Sequence, residues 1–150
     1  MPKQRLIFLL LAIAVALSLV SCDETPMPYP EFSCDETRLL DAWRARVYES
    51  LSAGVDIADA HDPNAKDPAI TLRRLRDVQL QLGHYFQTEP MPECMRKAIR
   101  IYVDGTQALQ RNGGSLPVAM KQMDVAANGF YEAVQIAKPE WAREGTPAPD

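Results

Sequence analysis

Histidine and cysteine are the scarcest of the chemically versatile residues in this 150-residue chain, with two and three copies. No CxxC, HExxH or CxxCH spacing is built from them, so zinc and haem chemistry lack their usual ligands and no cofactor is implied. His61 and His84 fall at different levels of successive elements, about 25 Å apart at 1.5 Å per helical residue, and do not share a metal. No G-x-S-x-G turn occurs, and Ser50, Ser52 and Ser115 have no histidine suitably placed, which leaves nucleophilic catalysis without a base. Sustained alternation of apolar and polar residues is missing, as are tight Asn-Gly or Asp-Gly hairpin turns, and a sheet-based fold is not expected. Sixteen basic residues against 20 acidic ones give a net charge of −4, the wrong sign for nucleic-acid binding.

What is present begins at the N-terminus. Lys3 and Arg5 precede an apolar run from Leu6 to Val20 that ends in small residues before Cys22, the three-part plan of a secretory signal. The run is shorter than the roughly 20 residues a membrane span needs. Its last four residues, Leu19-Val20-Ser21-Cys22, resemble the lipobox of bacterial lipoproteins: a branched apolar residue, a small or β-branched one, a small one, then cysteine. The resemblance implies that Cys22 receives a diacylglyceryl group, that a peptidase cuts before it, and that the mature chain begins there. It implies a lipid-anchored protein at the bacterial cell membrane, facing outside the cytoplasm, with palmitate as a convenient label. Two or more acyl chains, each buried methylene contributing ~0.8 kcal/mol, make such an anchor stable. The resemblance covers about the first 22 residues and carries no activity. With residues 1–21 removed, 14 Lys and Arg face 20 Asp and Glu, a balance of −6. Cys34 and Cys94 are then an even pair in an oxidising compartment and are expected to form a disulfide.

The expected organisation is a signal peptide over 1–21, a Pro-rich tether over 22–33, a helical domain over 34–142 and a polar, Pro-rich tail over 143–150. The tether DETPMPYPEFS favours extended polyproline II geometry. Within the domain, apolar residues recur at three-to-four spacing in four segments, near 35–60, 68–88, 92–112 and 116–138. Their stripes are Leu39 or Leu40, Trp43, Val47, Leu51, Val55 and Ala58; Leu72, Leu75, Val78, Leu82 and Tyr85; Met95, Ala98, Ile101 or Tyr102, Gly105 and Leu109; and Leu116, Met120, Met123, Ala127, Phe130, Val134 and Ala137. Ser33 with Glu36 fits a capping box. Asp67-Pro68 fits a capping acid and first-turn proline, and Asn112-Gly113-Gly114 a helix stop. Pro139 ends or kinks the fourth helix, with Trp141 folding back over the bundle's end.

Short connections favour an all-α, antiparallel up-down four-helix bundle with one disulfide. Two stacked helical hairpins are the alternative. In a square bundle the starts of the first and third helices are diagonal, too far apart for the ~4.4 to 6.8 Å Cα separation of a disulfide, so one start must cross beneath the bundle.

The densest group of oxygen ligands is Asp56, Asp59, His61, Asp62, Asn64 and Asp67, which lacks the calcium-loop pattern and reads as a solvated polar turn. Arg73, Arg74, Arg76, Arg96, Lys97 and Arg100 make the middle helices basic, with Arg73–Asp77 and Glu93–Lys97 expected to pair along the helix. His84, beside Tyr85 and Phe86, reads as a packed or half-exposed aromatic residue. Each helix holds one glycine, Gly54, Gly83, Gly105 and Gly129. These do not converge on a cavity, so close helix approach beside Trp43 or Tyr102 is the expectation. By exclusion the domain reads as non-enzymatic, contacting another envelope protein through a helical face or its distal loops. The alternative is a small-ligand or metal-binding bundle using Met120, Met123, Tyr131 and the distal acids.

Overall fold

Four aromatic side chains, spaced along the chain so that each falls on a different helix, meet in one cluster. In the computed structural model, which describes residues 30–60, 67, 69–111 and 115–143, Phe86 stacks on Trp43 at 6.1 Å between centroids and meets Tyr102 edge-on at 5.3 Å. Phe130 completes the set, 5.5 Å from Phe86 and 5.4 Å from Tyr102. These offset and edge-to-face arrangements suit the ring quadrupoles and add to the area they bury. The expected signal peptide, Cys22, most of the tether, His61, Asp62, Asn64, Pro68, the Asn112-Gly113-Gly114 stop and the tail from 144 lie outside the described residues.

The chain is mostly helical. The elements are β1 (Glu31–Phe32), α1 (Thr37–Asp59), α2 (Ala69–Thr88), β2 (Met91–Pro92), a 3₁₀ turn over Glu93–Met95, α3 (Arg96–Arg111), α4 (Leu116–Ala137) and the short α5 (Pro139–Arg143). Packing is most extensive between α3 and α4, then between α1 and α2 and between α2 and α3. Among the described residues no helix is long and apolar enough to cross a membrane.

The helix faces follow the apolar spacing, with local differences. Leu40, Trp43 and Val47 are buried on α1, and Leu39 is 45% exposed. The expected stripe ends early: Leu51 is half-buried, while Val55 and Ala58 are exposed. On α2 it is Phe86, not its neighbour Tyr85, that occupies the centre; Tyr85 is half-buried. Tyr102 rather than Ile101 is buried on α3, and Met120, Met123 and Phe130 are buried on α4.

Two glycines are where helices come closest. A Cβ on Gly105 would stand 2.3 Å from the Cβ of Ala126, and one on Gly83 would stand 2.6 Å from Thr106 Oγ1 and Cγ2. Gly54 faces Val78 at an ordinary 3.8 Å, so close approach does not explain it.

The largest departure from the sequence expectation is at the start of the domain. Glu31 and Phe32, placed by composition in the tether, form a parallel two-residue ladder with Met91 and Pro92. Met91 N donates to Pro30 O at 3.0 Å. This ladder resolves the disulfide problem. Cys34 follows β1 in a turn and Cys94 lies in the 3₁₀ turn after β2, so neither cysteine sits in a long helix. The two strands bring them to a Cα separation of 6.1 Å, and the sulfurs are bonded. Arg96 braces the same junction, its Nε and a terminal nitrogen donating to the two carboxylate oxygens of Glu31 at 2.8 and 2.7 Å.

Two capping and pairing expectations change, and one holds. Ser33 Oγ accepts from Asp35 N at 3.3 Å, and α1 starts at Thr37 without a side-chain cap, so the capping box is not formed. Asp77 takes Arg76, not Arg73, at 2.9 Å. Asp67 does cap α2, its Oδ1 accepting from Ala69 N at 3.0 Å. At the other end Lys138, pushed out of helical geometry ahead of Pro139, has φ −137° and ψ 72°. The chain turns there and Trp141 packs back on the core.

Candidate functional site

Because α1 packs on α2 rather than on α4, a cleft opens between α1 and α4, floored by the aromatic cluster. Its α1 wall carries Trp43, Val47 and Leu51 one turn apart, flanked by Arg44 and Tyr48. Its α4 wall carries Phe130, Tyr131, Val134 and Gln135, and Trp141 of α5 closes one end. The space is about 130 Å³. Both tryptophans of the chain line it.

The polar atoms sit at chosen points of an apolar slot. Trp43 Nε1 donates to Met91 Sδ at 3.2 Å, so the buried indole nitrogen is satisfied away from the opening. The Arg44 guanidinium lies over the Trp141 ring, 4.6 Å from its centroid, a cation–π contact that ties α1 to α5 across the end of the cleft. Burial raises the Tyr131 phenol above its ordinary value even though the residue is 41% exposed. It stays a neutral donor at physiological pH.

A second cavity of about 180 Å³ shares Leu51 and Tyr131 with the first and extends along α1 past Ser50 and Gly54 to Val78 and Leu82 of α2. Tyr102 and Gln79 face it, and the Tyr102 hydroxyl donates to Gln79 Oε1. Burial first, then the nearby Tyr131, holds the Tyr102 phenol far above its ordinary range. Ser50, on the wall, donates its Oγ to Arg46 O at 3.2 Å within its own helix.

Of the residues singled out by sequence, the structure joins Cys34 with Cys94 and sets Tyr131 on the wall of the cleft. It does not bring Met120 and Met123 to Tyr131's side: both are buried, and Met123 packs against Gly105 on α3. Asp56, Asp59 and Asp67 are exposed, and among the described residues no three His, Cys, Asp or Glu side chains gather to hold a metal. His84 is exposed rather than packed.

Sequence reasoning missed Arg44, Tyr48, Gln135 and the role of Trp141. The one signal was the breadth of the α1 stripe, where Tyr48 widens a face already formed by Trp43 and Val47. Comparison with known proteins finds no matching family model, no matching curated protein and no matching solved structure.

Proposed function

We propose that the chain is a non-enzymatic bacterial lipoprotein, anchored through lipid on Cys22 and exposed outside the cytoplasm, whose domain docks another envelope protein at the cleft between α1 and α4. Its four long helices are read as an antiparallel up-down bundle left open along that edge. Gly105 facing Ala126 while Ile101 faces Gly129, and Trp43 meeting Phe86 while Gly54 faces Val78, support this direction of packing. The observation that carries the docking reading is the concentration of Trp43, Tyr48, Phe130, Tyr131 and Trp141 around one opening. Aromatic anchors with a polar tip and an adjacent Arg are what binding hot spots are made of.

A photo-crosslinking side chain at position 48 or 135, in chain anchored in its native membrane, is expected to capture one defined partner. The same group at Arg74, exposed on α2, is expected to capture none. Identical patterns from both places would sink the docking reading. The anchor is tested separately, because Cys22→Ala should give unprocessed chain that takes up no radioactive palmitate.

A small-ligand reading is favoured by one number. The cleft, at about 130 Å³, is close to the ~150 Å³ of an apolar cavity that holds benzene. Titration with p-xylene should then shift the fluorescence of Trp43 and Trp141 and raise the melting temperature. An unchanged spectrum and melt would leave only the protein-docking reading.

A further inference from the structure

The apolar stripe of α1 outlasts the core it helps to build. Trp43 and Val47 are buried, but the same face continues through Leu51 and Val55 to Ala58, where the fold leaves it half-buried and then exposed. The cleft against α4 takes this face from Trp43 to Leu51, and the second cavity, against α2, takes it from Leu51 to Ala58. The two adjoin at Leu51 and Tyr131, which line both. From Arg44 to Ala58 the run is about 21 Å at 1.5 Å per helical residue, the length of a long extended acyl chain. Together the cavities reach the ~300 Å³ at which small-molecule sites begin.

Gly54 belongs to this groove. A glycine inside a helix is destabilising relative to Ala, and Gly83 and Gly105 have a packing reason for it that Gly54 lacks, since a Cβ there would meet only Val78 at 3.8 Å. What Gly54 leaves is volume: it lines the second cavity, and a larger side chain would take up space there. Charge then gives the groove a direction. Among the described residues Arg44 is the one charged side chain lining either cavity, and it stands at the Trp141 end. Its guanidinium lies over the Trp141 ring, and the five N–H donors of such a group point outward from its edge and serve more than one partner. At the far end Asp56 and Asp59 are exposed on α1 beside Val55 and Ala58, and they oppose an anionic head there.

We propose, on the small-ligand reading of the cleft, that the joined cavities bind one long-chain fatty acid. Its carboxylate lies at Arg44 and its acyl chain runs past Leu51 and Gly54 toward Ala58. One cation at one end of an uncharged groove complements a single anionic head on a single chain.

Titration of the full mature polypeptide, made without lipid on Cys22 and with its disulfide intact, tests this. Palmitate, kept below its micelle concentration, is expected to bind saturably at one per chain and to raise the melting temperature. Octanoate leaves the second cavity unfilled and should bind more weakly by on the order of a hundredfold. Palmitate brominated next to its carboxyl should quench Trp43 and Trp141, and palmitate brominated at its terminal carbon should not. Arg44→Gln should weaken palmitate about tenfold and leave hexadecanol, its uncharged counterpart, unchanged. Gly54→Leu should lose palmitate and keep p-xylene. The bromine and chain-length comparisons need no variant. If p-xylene binds and palmitate does not, the fatty-acid site is overturned while the small-ligand reading stands; if neither binds, both fall. Equal affinity for octanoate, stronger quenching from the terminal bromine, or undiminished palmitate binding by Arg44→Gln or Gly54→Leu would each overturn the fatty-acid site alone.

Discussion

At the scale of single residues, the sharpest contrast is between two glycines that look alike in sequence. Both interrupt helices, where Gly costs about 1 kcal/mol relative to Ala. Gly105 has no room for a methyl group, since Ala126 occupies the place where one would go. Gly54 has ordinary van der Waals space. Gly105→Ala should therefore destabilise by about 1–3 kcal/mol through overpacking, while Gly54→Ala should stabilise by up to about 1 kcal/mol. Chemical denaturation of the two variants checks both signs. Phe86, fully buried and in contact with the aromatic residue of every other long helix, should cost about 3–5 kcal/mol as Phe86→Ala. The same change at its exposed neighbour His84 should cost little.

At the scale of elements, the β1–β2 ladder has only two residue pairs and holds because covalent and ionic links reinforce it. Closing a loop across a sequence separation of 60 contributes about 4 kcal/mol in the chain-entropy account. Replacing Cys34 and Cys94 together by Ser should lower stability by that order and keep the helical signal, because the aromatic cluster does not depend on the bond.

The Glu31–Arg96 pair adds a pH dependence. Its hydrogen bonds from Arg96, more than the opposing effect of burial, hold the Glu31 carboxyl below its usual 4.5. A carboxylate with a depressed pKa in the folded state stabilises fully above its unfolded value, and that stability is lost as pH falls through the folded value. Thermal melts should show stability falling on acidification below the ordinary carboxylate range. Glu31→Gln should flatten part of that fall, at a cost near neutral pH on the order of 1 kcal/mol for a pair still partly in contact with solvent.

The pairing of Cys34 with Cys94 was expected from the sequence, but the ladder beside it was illegible for a physical reason. Two-residue strands beside prolines have no periodicity to detect, and their order comes from partners 60 residues away. The four long helices were legible because each repeats its apolar spacing over about four to six turns. Neighbouring residues on one helix differ by only 100°, so the same spacing left Tyr85 and Phe86, or Ile101 and Tyr102, undecided.

For the whole molecule, the cleft depends on which pairs of helices pack closely and which do not. That is set by Gly83 and Gly105 drawing α2, α3 and α4 together while α1, among the long helices, packs extensively only on α2. No local pattern announces such an imbalance, which is why Arg44, Tyr48 and Gln135 went unnoticed while Trp43, Val47 and Phe130 were read as core. Truncating a wall residue tests how far the opening is separable from the fold. Tyr131→Ala, at a residue 41% exposed, should leave melting within about 1 kcal/mol of the parent while abolishing crosslinking from position 48.

The central claim is that this helical domain works from a lipid anchor, and the covalent state of the chain's first residue decides it. Intact-mass analysis of chain extracted from membranes should give a polypeptide beginning at Cys22, lacking residues 1–21, and carrying the added mass of a diacylglyceryl group. A mature chain that begins elsewhere, or that begins at Cys22 without added lipid, would contradict it.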